Sequence, residues 1–266
     1  MKIISNLSNA LRRFATLSRI LPARSNRESR YTEIDIARGC SMVAMAGFHL
    51  LFDIDYFIGP IGLPDLFWIV SPKIIGGSFI LVVGISLHLK YESMTPARVL
   101  PIFRQGGWVL FWAGMLSLTT WLDPSPGLVV FGILHCIGLL TLLSWPFLRF
   151  KKFNFPLGLF LTGLAFYISG RNFDISPFWM WTGFQSLEPV ATLDYYPIFR
   201  WLGVLLIGIS LGDWLYPEGR RKFLIKVPKN PISSLLSLAG KYSLLFYLLH
   251  QPILILLVLT WKKLAL

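Results

Sequence analysis

Apolar runs long enough to cross a bilayer recur along this chain, and no other feature limits its fold so sharply. About seven can be marked, at roughly 34–52, 66–89, 101–122, 128–148, 155–170, 197–215 and 235–260. A hydrocarbon layer about 30 Å thick takes some 20 apolar residues as a helix. Backbone polar groups without water satisfy one another only in helices or closed barrels. The regular alternation of an outer-membrane barrel is missing. Only 14% of the 266 residues are charged, against roughly a quarter in soluble domains. The expected fold is therefore all-α, a polytopic transmembrane bundle of about seven spans. No internal repeat is visible.

Charge in the connecting segments sets the orientation. Residues 1–30 carry Lys2, Arg12, Arg13, Arg19, Arg24, Arg27 and Arg30, the second loop Lys90, Arg98 and Arg104, and the fourth Arg149, Lys151 and Lys152. The sixth carries Arg220, Arg221, Lys222, Lys226 and Lys229. The alternate loops offer Asp53, Asp55 and Asp65 in one and Asp123 in another. The positive-inside rule then places the N terminus in the cytoplasm and the protein in the cell (inner) membrane as a multi-pass chain. Lys262 and Lys263 at the opposite end run against this pattern. The +12 net charge thus lies in a tail and short loops and does not point to nucleic acid. Residues 1–30 suit an amphipathic helix on an anionic leaflet, a disordered basic tail, or an Arg- and Ser-rich transit segment. Residues 31–266 read as one membrane-embedded domain.

The first span, with its flanks, carries most of the chemistry. In YTEIDIARGCSMVAMAGFHLLFDIDYF, positions 35, 38, 42, 45, 49 and 53 step by three or four. They therefore share one helical stripe. Asp35, Arg38, His49 and Asp53 are its polar members, with Met42 and Met45 between them. Ionisable groups inside a span face a bundle interior or a wet cavity and mark function. The plainer reading is a structural Asp–Arg pair and a hydrogen-bonded core histidine.

Other spans bring polar groups to similar depths. At the inner end these are Ser86, His88 and Arg104, which suit a basic pocket for an anionic ligand or plain interface anchors. Toward the outer side lie Lys73, His135 and the stripe Ser243, Tyr247, His250, followed by Gln251 and Pro252. Asp194 and Tyr195 stand at the outer mouth of the sixth span. Asp53, one turn beyond His49, is placed to orient its imidazole. His and Asp without HExxH or clustered cysteine point to acid–base or nucleophilic work rather than zinc, so no metal is expected. Cys40 and Cys136 read as small core residues. The aromatic segment 171–196 suits an interfacial belt or a lid over a carbohydrate site. Gly76, Gly77, Gly84, Gly208 and Gly212 suit close helix packing.

Several segments carry a family likeness: EIDIARG with a downstream His and FD, then ILVVGISL, FGILHCIGL, LDYYPIFRWLGVLLIG and GKYSLLFYLLHQP. In this order the chain resembles bacterial membrane proteins of the heparan-alpha-glucosaminide N-acetyltransferase catalytic-domain family. The resemblance implies a membrane acyltransferase that moves an acetyl group from cytoplasmic acetyl-CoA to an amino-sugar or glycan acceptor on the far side. It departs from the family in having no histidine in the external loop 53–65, and in Arg200. Under this reading His49, Asp53, His250 and His135 are the catalytic candidates. Arg38, Asp35, Arg104 and Ser86 face the donor, and Lys73, Asp194, Tyr195 and Tyr247 face the acceptor. The bilayer is the constant partner, and a homodimer is compatible with the sequence. A transporter or flippase of a small or lipid-linked solute, working through buried His and Asp, is the alternative, and a non-catalytic membrane partner is the third reading.

Overall fold

Helix follows helix through the computed structural model, which describes residues 31–94, 99–123, 127–169, 171–173, 175–187, 191–223, 227–228 and 230–265. The α-helices are α1 Thr32–Phe57, α2 Asp65–Glu92, α3 Leu100–Leu122, α4 Ile133–Leu143, α5 Asn154–Ile168, α6 Ile198–Leu215, α7 Pro231–Lys241 and α8 Ser243–Ala265. The strands described are the two-residue pair β1 Asn172–Phe173 and β2 Gln185–Ser186. Tyr31–Leu266 forms one compact unit. The expectations for residues 1–30 lie outside the described residues, as do Arg98, Lys226 and Lys229.

Four helices are long and apolar enough to cross a membrane: α1, α2, α6 and α8. The others differ from the sequence expectation in instructive ways. The run 128–148 contains only the eleven-residue α4, about 16 Å at 1.5 Å per residue. Composition stays apolar past its end, but Pro146 has no N–H to continue the ladder, and short 3₁₀ turns follow at Phe147–Arg149 and Lys151–Phe153. The run 235–260 is divided at Tyr242 into α7 and α8, although Tyr242 N still donates to Leu238 O and Phe246 N to Tyr242 O.

Helix directions follow from named contacts. Ser41 meets Ser78 and Arg38 meets Ser86, so α1 and α2 are antiparallel. α3 and α4 are antiparallel through Gly106 beside Leu142 and Ser117 beside His135. α5 and α6 are antiparallel through Gly158 beside Ile207 and Ser169 beside Arg200. α2 and α6 run parallel, since Gly77 meets Trp201, Gly84 meets Leu205 and Gly208, and His88 meets Gly212. Their backbones touch at Gly84 and Gly208, the close approach expected of those glycines. The main core lies between α2, α3, α4 and α6, around Ile80, Leu87, Ile102, Leu140, Leu205 and Ile209, each buried.

At the start of α1, Arg221 grips Glu33 with Nε and Nη2 at 2.6 and 2.8 Å, and Tyr216 OH donates to the same carboxylate at 3.1 Å. Burial and the Glu33 carboxylate hold the Tyr216 phenol well above its ordinary pKa. At the other end of α1, Lys262 Nζ donates to Phe57 O at 2.6 Å. That places a cation on a leftover carbonyl at the C-terminal end of α1, where the helix dipole favours it. The lysine that runs against the charge pattern therefore has a structural use.

A side chain at Gly84 has no room, because its Cβ would fall against the Leu205 carbonyl, whereas Gly114 has nothing within 4 Å. Gly84→Val is expected to cost about 1–3 kcal/mol and to lower the melting temperature in detergent. Gly114→Ala should leave it unchanged. Equal effects from both would contradict the α2–α6 packing.

Candidate functional site

Half of the stripe on α1 meets α8. The two helices run side by side in one direction: His49 lies against His250, Asp53 against Gln251 and Phe57 against Lys262. The imidazole centroids of His49 and His250 are 5.1 Å apart, with planes at 51°. Asp53 is 2% exposed and His250 8%. The stripe therefore faces inward as its spacing predicts, with Asp35, Met42, Met45 and Asp53 buried and Arg38 and His49 half-buried.

His250 has a definable tautomer. Its Nδ1 is 2.6 Å from Tyr247 O. A carbonyl can only accept, so Nδ1 carries the proton, and Nε2 of the neutral ring keeps a lone pair. Nε2 is buried with no hydrogen-bond partner. Phe246 stacks on the ring with planes 6° apart, which fixes its orientation.

Asp53 pairs with Gln251 rather than with His49. Gln251 Nε2 donates to Asp53 Oδ1 at 2.9 Å. Asp53 Oδ2 and Gln251 Oε1 are buried and unpartnered. Gln251 is outside the expected site set. The signal that could have found it was its place between His250 and Pro252, where the proline frees the carbonyl of Leu248.

Arg38 lies eleven residues before His49 on α1, about 16 Å at 1.5 Å per residue. It donates to Asp35 Oδ1 and Gly240 O, each at 3.2 Å, and to Ser86 Oγ at 2.6 Å. Ser86 passes its own proton to Val82 O. Arg38 thus ties α1, α2 and α7 together, and the tie closes over a backbone contact in which Gly39 meets Leu236 O and Gly240 meets Asp35 O. Arg104 is exposed on α3.

The remaining candidates go elsewhere. His135 Nε2 is 3.3 Å from Ser117 Oγ, and its ring packs on Phe131. Ser117 gives its proton to Val129 O, so His135 donates to it. Lys73 is exposed on α2. His88 is fully buried and donates from Nε2 to Tyr216 O at 3.1 Å. Tyr247 packs against the main core, in which Ile133, Cys136 and Tyr196 are buried.

Asp194 and Tyr195 belong to a strap, residues 192–196, that runs past the starts of α2 and α4. Asp194 Oδ2 accepts from Ile133 N at 2.8 Å and so caps the start of α4. A Cβ at Gly132, the residue before α4, would fall on that oxygen, so this position needs glycine. Tyr195 OH donates to Met180 O at 2.7 Å and Tyr196 OH to Pro72 O at 2.6 Å. Burial raises the Asp194 carboxyl to about 6, with the Ile133 N–H partly opposing the shift. In the aromatic segment, Phe178 and Trp179 are exposed, while Phe184 packs between Phe173 and Phe199.

A groove of about 350 Å³ separates α1 from α2, lined by residues that include Ala44, Gly47, Leu51 and Ile74. These α1 positions lie on the face opposite His49 and Asp53. Among the described residues, no three His, Cys, Asp or Glu side chains gather as a metal site.

Membrane-crossing helices that enclose a histidine pair and a carboxylate–amide pair define an integral membrane protein with a buried polar centre. The chain belongs to the family described as heparan-alpha-glucosaminide N-acetyltransferase, catalytic, whose model matches residues 30–252. The family assigns it to the membrane acetyltransferases. No curated protein and no solved structure matches it.

The raised Asp194 carboxyl has a signed consequence. Its folded pKa, about 6, exceeds the ordinary value of 3.8, so its contribution to stability is full below about pH 4 and is lost as pH rises through 6. Asp194→Asn, whose side-chain oxygen still caps Ile133, should remove this loss, on the order of 2–3 kcal/mol at most. Melting curves of both proteins from pH 4 to 7 test it. Parallel profiles would contradict the buried cap.

Proposed function

We propose that the chain transfers an acetyl group from cytoplasmic acetyl-CoA to an amino-sugar or glycan acceptor on the far side of the membrane. The observation that carries this reading is the meeting of His49 and Asp53 with His250 and Gln251 on two adjacent parallel helices. The alternating directions of α1 to α6, followed by α8 in the direction of α1, support seven passages, and the charge pattern supports an N terminus inside. In that arrangement α4 and α5 are short passages completed by the turns and strap at their ends. The inner-membrane, multi-pass placement rests on the same charge pattern and directions.

The donor supplies an activated acetyl thioester. At the inner end Arg104 is exposed to meet its phosphates, and Lys90 stands beside it with Nζ on Gln105 Oε1 at 2.6 Å. Asp35, Ser86 and Arg38 hold one another in place, so Arg38 contributes positive potential there and fixes α1 against α7. At the outer half, His250 Nε2 takes the proton that the acceptor amine loses as its nitrogen bonds to the acetyl carbon; the thioester C–S bond breaks, and the CoA sulfur leaves as a thiolate that takes up a proton to become the free thiol. Asp53 Oδ2 faces the positive charge that builds on this nitrogen. His49 stands beside His250 to relay the proton or to orient the acetyl group. Tyr247 supports the His250 ring through its carbonyl. Lys73, His135, Asp194 and Tyr195 act from the rim, on the approach of the acceptor.

His250→Ala and His49→Ala are each expected to keep expression while lowering transfer of label from acetyl-CoA to extracted glycans in membranes, by about 10²–10⁴-fold for His250. Normal transfer by both variants would reject this site.

A further inference from the structure

Three buried polar atoms of the α1–α8 pair have no hydrogen-bond partner: Asp53 Oδ2, Gln251 Oε1 and His250 Nε2. Each is an acceptor. A carboxylate and an amide oxygen can only accept, and the His250 proton is committed to Tyr247 O through Nδ1. Buried acceptors left without donors are costly, so three on one helix pair are a site built for a donor-rich ligand group. A primary ammonium carries three N–H donors and a positive charge. A sugar hydroxyl carries a single donor. The amide of Gln251 is what makes the arrangement definite. Its N–H holds Asp53 Oδ1 at 2.9 Å, which fixes the carboxylate plane and leaves Oδ2 and Oε1 as the two remaining acceptors of one bonded pair.

We propose that Gln251 is a specificity-determining residue, which orients Asp53 and offers its own Oε1 so that the centre selects an amine over a hydroxyl. The proposal refines the acetyl-transfer reading at the same site, but it concerns recognition and can be measured without turnover. It assigns to Gln251 no part in breaking or forming bonds.

The test uses the full chain in detergent, with glucosamine and glucose as probes. Glucosamine should raise the wild-type melting temperature and glucose should not. Gln251→Met, which keeps the side-chain length and volume but removes both amide groups, should abolish the glucosamine shift while its ligand-free melting temperature stays close to wild type. In membranes its KM for the amine acceptor should rise about tenfold or more, with KM for acetyl-CoA unchanged. The proposal is overturned if Gln251→Met keeps the glucosamine shift. It is also overturned if the variant lowers stability and kcat with acceptor KM unaltered, or if wild type responds equally to both sugars or to neither. Should Gln251→Met fail to accumulate, Gln251→Asn carries the test. There a lost shift supports the proposal and a retained one overturns it. Wild type that binds glucosamine without transferring acetyl would reject the transfer reading and leave this one standing.

Discussion

The packing of α1 against α7 and, in parallel, against α8 is the constraint on which the site depends. It is fixed at three levels: Arg38 on the Gly240 carbonyl near the start of α1, Asp53 on Gln251 in its second half, and Lys262 on the Phe57 carbonyl at its C-terminal end. Each contact joins a charged group to a polar one; the Arg38 and Asp53 contacts are partly buried, where such bonds are stronger and costlier to leave unmade. Gly39 and Gly240 allow the approach that lets Arg38 reach. Larger side chains there would part the helices and take His49 away from His250.

The rest of the fold keeps this pair in place. α2 is held to α1 by Ser41–Ser78 and Arg38–Ser86, and to α6 by facing glycines. The 192–196 strap then ties together the starts of α2 and α4. Asp194 caps α4, Tyr196 reaches Pro72 on α2, and Thr192 Oγ1 donates to Leu128 O and Asp194 O. These polar bonds sit where helices end and carbonyls and N–H groups would otherwise be left over. The helix interiors pack through small and apolar side chains.

How much of this could be read from residues alone depends on which dimension is asked. Periodicity within one helix was legible: the 35, 38, 42, 45, 49, 53 stripe faces inward, and the glycines of α2 and α6 mark close packing. Separation along a single helix was legible too, because residue number converts to rise. The angle between helices was not. His135 and Lys73 were expected at depths like that of His49, yet one turns to Ser117 on α3 and the other is exposed. Pairings between distant segments were equally hidden, as with Asp53 and Gln251, or with Asp194, whose carboxylate serves a backbone N–H of α4. The ends of α4 were misjudged because apolar composition runs past the point where Pro146 stops the backbone ladder.

The most direct measurement of the central pairing is cross-linking in membranes. With Cys40 and Cys136 replaced by serine, cysteines at Asp53 and Gln251 should be bridged within one chain by a short thiol-specific reagent, and cysteines at Asp53 and His135 should not. Bridging of 53 to 135 without bridging of 53 to 251 would contradict the helix arrangement and the site built on it.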